Sequence, residues 1–154
     1  MQFYSRKPTR IPGYDYSKSN YYFITICTHE KKCIFGLPNQ LNAWGIIASD
    51  HIKRIEENYP SVKVDKFVVM PNHVHMIIAT EENKNNPNIS LLVALYKTGV
   101  TKQIHQEKLN IQIWQRSFHD HIIRNRQGYE KIWTYIDNNP LKWEMDCFYV
   151  SASG

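Results

Sequence analysis

Two rhythms of apolar and polar positions run along this chain. Short runs rich in aromatic and β-branched side chains predict strands over residues 21–28 (YYFITICT), 62–70 and 73–79, and a strand or extended segment over 111–123. Helical spacing takes over in between. Trp44, Ile47, Ala48, His51, Ile55 and Tyr59 mark one stripe within residues 41–59, which Pro60 ends. Ser90 is the expected N-cap of a helix from 91 to about 106, and Tyr129, Ile132, Trp133 and Ile136 line one side of a last helix over 127–139, closed by Pro140. The dipeptide Pro71-Asn72 joins two of the strands into a hairpin. The resulting order of strand, helix, strand, strand, helix, strand predicts an α+β fold: a ferredoxin-like, split βαβ antiparallel sheet with helices on one face, plus the C-terminal helix.

Within this pattern, two histidines break an otherwise apolar strand. His73 and His75 stand two residues apart, so both rings leave on one face while Val74 turns to the other, into the core. Two neutral imidazoles on one face begin a divalent-metal site, with positions left for a carboxylate, an amide oxygen, water or a phosphate oxygen. A short motif of this kind acquires meaning only from its context. His119 and His121 repeat the spacing, yet Asp120 between them would turn a charge toward the face that the first pair gives to the core. This second pair therefore reads as the weaker metal site, with Asp120 and His121 instead holding DNA or supporting the first site from outside its ligands. His51 lies on the apolar stripe of its helix and reads as a packed side chain. On the last helix, Tyr135 stands off the apolar stripe by about a third of a turn, at about 100° per residue. Asn139 follows at i+4 on the same side.

Composition narrows the class. With 154 residues, 42% hydrophobic and 21% charged, and no low-complexity run, the chain reads as one folded domain over 1–154. No apolar run is long enough to span a bilayer, and MQFYSRKPTR lacks the apolar core of a signal peptide, which predicts a cytoplasmic protein without a membrane partner. Cys27, Cys33 and Cys147 form neither an even set nor a CxxC pair, so they read as reduced thiols. The net charge of +5 points to a polyanionic partner. Residues 1–20 read as a basic arm in which Arg6, Lys7, Arg10 and Lys18 are interleaved with Tyr14 and Tyr16 around Pro12-Gly13, a mixture suited to phosphates and to base stacking. Lys97 and Lys102 on the second helix, with Arg116 and Arg124 in and after the fourth strand, extend the basic set.

Five blocks, RKPTRIPGYDYS, YYFITICTHEKKCIFG, VVMPNHVHMII, IWQRSFHDHIIRN and YIDNNPLK, resemble in order and separation those of the REP-associated tyrosine transposases, within the HUH (His-hydrophobic-His) single-tyrosine transposase superfamily. The likeness covers nearly the whole chain. It implies that His73 and His75 hold Mg²⁺ or Mn²⁺, that Tyr135 is the nucleophile, and that Asn139 is a further ligand where more distant relatives use glutamine. The implied activity is that of a metal-dependent single-stranded DNA endonuclease and strand transferase, cleaving near hairpin repeats through a 5′-phosphotyrosine and able to rejoin strands. Arg6, Arg10, Lys97, Lys102, Arg116 and Arg124 are then candidates for contacts with single-stranded or hairpin DNA, the protein acting as a monomer or homodimer. Two other classes compete. A non-cleaving regulator that binds hairpins would have no use for Tyr135 beside both histidines, and an RNA-binding sheet would carry an aromatic RNP signature that this chain lacks.

Overall fold

The fold is known from a computed structural model, which describes residues 19–81, 88–108 and 110–150. Arg6 and Arg10 lie outside these. In chain order the elements are β1 (Ser19–Cys27), a small hairpin of β2 (Gly36–Leu37) and β3 (Gln40–Leu41), α1 (Ala43–Asn58), β4 (Val62–Met70), β5 (His73–Glu81), α2 (Ile89–His105), β6 (His119–Ile123) and α3 (Arg126–Asn138), followed by a 3-10 segment, Asn139–Met145. The four long strands form one antiparallel sheet in the order β4-β5-β1-β6, the ferredoxin-like arrangement expected from the order of elements.

Alternation along the central strands divides the apolar side chains between two cores. Ile24, Ile26, Val74, Met76 and Ile78 point to one side, where they meet Ala48 and Ile52 of α1 and Leu92, Val93, Tyr96 and Val100 of α2. Tyr21, Ile77, Ala79 and Ile123 point to the other and are covered by Tyr129 and Ile136 of α3. Two helices thus share one face of the sheet, and among the described residues the helix that carries Tyr135 is the one that covers the opposite face. His73 and His75 have the parity of Ile77, so the fold delivers the histidines and the tyrosine to the same side.

Local differences from the expected elements have identifiable causes. The fourth strand is confined to His119–Ile123; the run before it is held to the end of β1 by an isolated bridge between Thr28 and Trp114 and by hydrogen bonds from His29 N to Ile113 O (2.8 Å) and from Gln115 N to Cys27 O (3.0 Å). The Lys97 ammonium donates to the carbonyls of Gln115 (2.8 Å) and Ser117 (3.1 Å), which satisfies backbone acceptors that a regular ladder would have used. The N-cap of α2 is Asn88 and not Ser90: its side-chain oxygen accepts from Leu91 N at 2.8 Å, which starts the helix at Ile89. The β2–β3 hairpin has no counterpart in the sequence reading. Its Gly36 has φ of +100°, with a Cβ position only 2.5 Å from Asn42 N, so a side chain is excluded there.

Candidate active site

β5 opens with His73 immediately after the turn Pro71-Asn72, and both histidines are buried, at 0% and 1% exposure. Their rings meet edge to face with centroids 4.5 Å apart. His73 Nδ1 lies 2.8 Å from Asn72 Oδ1 and, facing an amide oxygen, carries the hydrogen and donates it. His75 Nδ1 lies 2.8 Å from Thr25 Oγ1, because the β1–β5 register sets Thr25 opposite His75. Neither Nε2 atom has a hydrogen-bond partner in its buried position; that of His73 keeps a lone pair because its hydrogen is on Nδ1, and that of His75 keeps one in the tautomer that donates from Nδ1 to the Thr25 hydroxyl. Asn139 Oδ1 is likewise buried and unpartnered. Buried acceptors without donors are costly, and a cation is what three such lone pairs would satisfy. The donor set of two imidazoles and an amide oxygen therefore fits a divalent ion.

Tyr135 projects from α3 toward this pair, its ring 5.3 Å from that of His75 and 6.3 Å from that of Phe23, while the side chain stays 40% exposed. One turn on, Asn139 keeps helical dihedrals at the end of α3 and is buried. The chain then doubles back through the 3-10 segment and brings Asp146 onto both residues. Asp146 Oδ2 accepts from Asn139 Nδ2 at 2.6 Å and, at a long 3.4 Å, from the Tyr135 hydroxyl, while its Oδ1 accepts from Phe148 N at 2.8 Å. The Phe148 ring lies 4.6 Å from that of His73, and its carbonyl takes a hydrogen from Asn72 Nδ2 at 2.8 Å. Beside Tyr135 opens a cavity of about 330 Å³ whose rim includes Lys131, Lys142, Asn139 and Asp146.

Burial dominates the electrostatics. It draws His73 down to about 4, although the Asp146 charge and Asn139 oppose the shift, and it holds His75 well below the usual histidine range, with His73 adding to the effect. Both rings are accordingly neutral at physiological pH, the state in which imidazole binds metal. Burial and the neighbouring Asp146 carboxylate push the Tyr135 phenol up to about 12, so the hydroxyl is protonated at neutral pH.

Other residues singled out in the sequence fall elsewhere. His119 and His121 pair with Thr25 and Phe23, which puts them on the face of the first histidine pair, but both are exposed. Asp120 pairs with Ile24, points to the opposite face and is not brought to the site. Lys97 is half-buried against the two carbonyls described above, whereas Lys102, Arg116 and Arg124 are exposed. His51 is packed between α1 and α2, its Nε2 2.8 Å from Gln103 Oε1. Thr25, Asn72, Asp146 and Phe148 were missed. Asn72 could have been found as the polar residue flanking the pair in PNHVH; Asp146 lies beyond Pro140 in a stretch without periodicity and offers no signal.

Over residues 15–139 the chain matches the family described as Transposase IS200 like. It belongs to that family. Among its relatives is an uncharacterised protein of Haemophilus influenzae, 36% identical over an alignment that covers 94% of this chain and 93% of the relative. A second protein of that organism, named for the REP-associated tyrosine transposases, is 29% identical with 83% of this chain and 74% of the relative covered. Of solved structures, a REP-associated tyrosine transposase bound to a REP hairpin superposes with a TM-score of 0.64 at 23% identity, over 81% of this chain and 68% of the other. A protein from Deinococcus radiodurans described as a transposase gives 0.56 at 16% identity, over 82% and 93%. The transposase thus shares its fold with both, and among its described residues no helix is long and apolar enough to cross a membrane.

Proposed function

We propose that this transposase cuts single-stranded DNA beside hairpin repeats with Tyr135 as nucleophile and with a divalent ion, Mg²⁺ or Mn²⁺, held by His73, His75 and Asn139. The observation that carries the reading is the convergence of three buried, unpartnered polar atoms, His73 Nε2, His75 Nε2 and Asn139 Oδ1, with one half-exposed tyrosine on a single face of the sheet. When bound, the ion supplies positive charge that offsets the phosphate and exposes phosphorus to attack. Asn72 and Thr25 hold the imidazoles so that both Nε2 atoms remain free to ligate. Packing beside His75 and Phe23 leaves the Tyr135 hydroxyl at the mouth of the cavity, where Lys131 and Lys142 offer charge to a backbone phosphate. The phenolic oxygen would form its bond to phosphorus as the bond to the 3′-oxygen breaks, the phenol giving up its proton and the departing 3′-oxygen taking one up, to leave a 5′-phosphotyrosine and a free 3′-hydroxyl. The new link is itself a phosphodiester, so a 3′-hydroxyl can reverse the step and rejoin a strand without ATP.

The REP hairpin in the structural neighbour supports hairpin DNA as the partner here. Exposed Lys102, Arg116 and Arg124, with Arg6 and Arg10 of the arm, are the proposed contacts; Lys97 retains one ammonium hydrogen beyond its two carbonyls. Incubation with labelled hairpin DNA and Mn²⁺, followed by a denaturing gel, tests the reading. The wild-type chain yields a covalent protein–DNA band, and Tyr135→Phe yields none while binding the hairpin with unchanged affinity. Cutting by that variant would remove Tyr135 from its role.

A further inference from the structure

We propose that Asp146, carried by the segment after α3, is the anionic ligand of the same ion, and that Asn139 holds this carboxylate in place through its Nδ2 hydrogen. The inference rests on the divalent-ion reading above and adds to it a residue outside the histidine pair and the tyrosine helix. Its first support is geometric: the ligating atoms of His73, His75 and Asp146 all lie within 4.8 Å of one another. Two ligands on one ion, each at about 2.1 Å, lie at most about 4.2 Å apart, so a small side-chain rotation closes the set. Charge is the second argument. Two neutral imidazoles and an amide bring no negative charge to a buried dication, whereas one carboxylate halves the charge to be stabilised, and its oxygen is the ligand type that Mg²⁺ and Mn²⁺ prefer.

The third argument concerns orientation. Asp146 is held at both oxygens: Asn139 Nδ2 at 2.6 Å on Oδ2 and Phe148 N at 2.8 Å on Oδ1. These are the outer-shell bonds that a ligating carboxylate requires, and they leave it further acceptor capacity. Asn139 is then bifunctional, with Nδ2 on Asp146 and Oδ1 unpartnered for the ion. The long 3.4 Å contact from the Tyr135 hydroxyl to Asp146 Oδ2 ties the nucleophile to the same group.

Calorimetric titration of the full chain with Mn²⁺ and, separately, with Ni²⁺ tests this, using wild type, Asp146→Asn, Asp146→Glu and His73→Ala, each checked for folding by thermal unfolding. Ni²⁺ serves as comparator because imidazole dominates its binding while carboxylate oxygen matters more to Mn²⁺. Asp146→Asn is expected to lose Mn²⁺ affinity by about tenfold or more while losing less for Ni²⁺, and Asp146→Glu to keep most of both. Equal losses for the two metals would mean that Asp146 only props the pocket, which overturns the proposal. So would full Mn²⁺ affinity in Asp146→Asn alongside loss in His73→Ala, although the divalent-ion reading would then stand. Absence of Mn²⁺ binding by the wild-type chain would bring down both.

Discussion

His73 and His75 are stored in the neutral form, and this has a cost that depends on pH. In the unfolded chain a histidine takes up a proton near 6.5, whereas folded His73 does so only at about 4 and His75 well below its usual range. Between about 6.5 and 4 the unfolded state therefore binds more protons, and the stability of the metal-free protein rises with pH through that window. The contribution is complete above about 6.5 and is lost as the pH falls, by at most about 1.4 kcal/mol per pH unit for each histidine. Thermal unfolding in chelator from pH 7.5 to 5 should show a falling midpoint, with a shallower fall in the His73→Gln, His75→Gln double variant; equal slopes would contradict neutral burial. For the proposed cleavage, the same depression predicts an acid limb below 6.5. A higher Mn²⁺ concentration should move that limb further down, because metal and proton compete for the same lone pairs.

At the scale of elements, one strand and one turn orient the histidines that a third element carries. β1 contributes Thr25 in register with His75, and the β4–β5 turn contributes Asn72 to His73. Thr25→Val keeps the shape and β-branching of the side chain but removes the partner of Nδ1. It is expected to weaken Mn²⁺ binding by about 10- to 100-fold, the usual cost of losing an outer-shell bond, and to leave the Ni²⁺/Mn²⁺ preference unchanged. Titration calorimetry measures both, and an unaltered affinity would show that the His75 ring is held by packing alone. α3 is independently anchored, since its Asn125 cap accepts from Gly128 N at 2.7 Å and Lys66 of β4 pairs with Asp137 at 2.7 Å while lying over the Trp133 ring. The Lys66 contacts tie the helix, and hence Tyr135, to the edge strand β4, which neighbours the strand that carries His73 and His75.

Over the whole molecule, a net charge of +5 and exposed Lys102, Arg116, Arg124, Lys131 and Lys142 set the expected response to salt. Hairpin binding followed by fluorescence anisotropy should weaken linearly on a log–log plot, with a slope of about 0.7 to 0.9 for each phosphate contacted. A flat response would exclude a polyanion partner. Asp146 also acts at this scale: it reaches the histidines only because the chain, having left α3 at Asn138, folds back through Asn139–Met145 across the end of the sheet.

The sequence alone determined the kinds and order of the four long strands and three α-helices, the shared face of His73 and His75, and the pairing of Tyr135 with Asn139 along one side of a helix, because each of these is a matter of local backbone periodicity. Residues 62–70 were legible to the residue, and the two long helices to within about two positions at either end. Only the tertiary structure decided that α3 covers the face opposite α1 and α2, since each helix has an apolar stripe that would satisfy either side of the sheet. It also decided that Thr25, fifty residues away in sequence, orients His75, because strand register is set by pairing and not by either strand alone. The same holds for the shortened β6, since the run before it found partners at the end of β1 and in Lys97, and for Asp146, whose aperiodic segment gains its place only by packing against a site that is already formed.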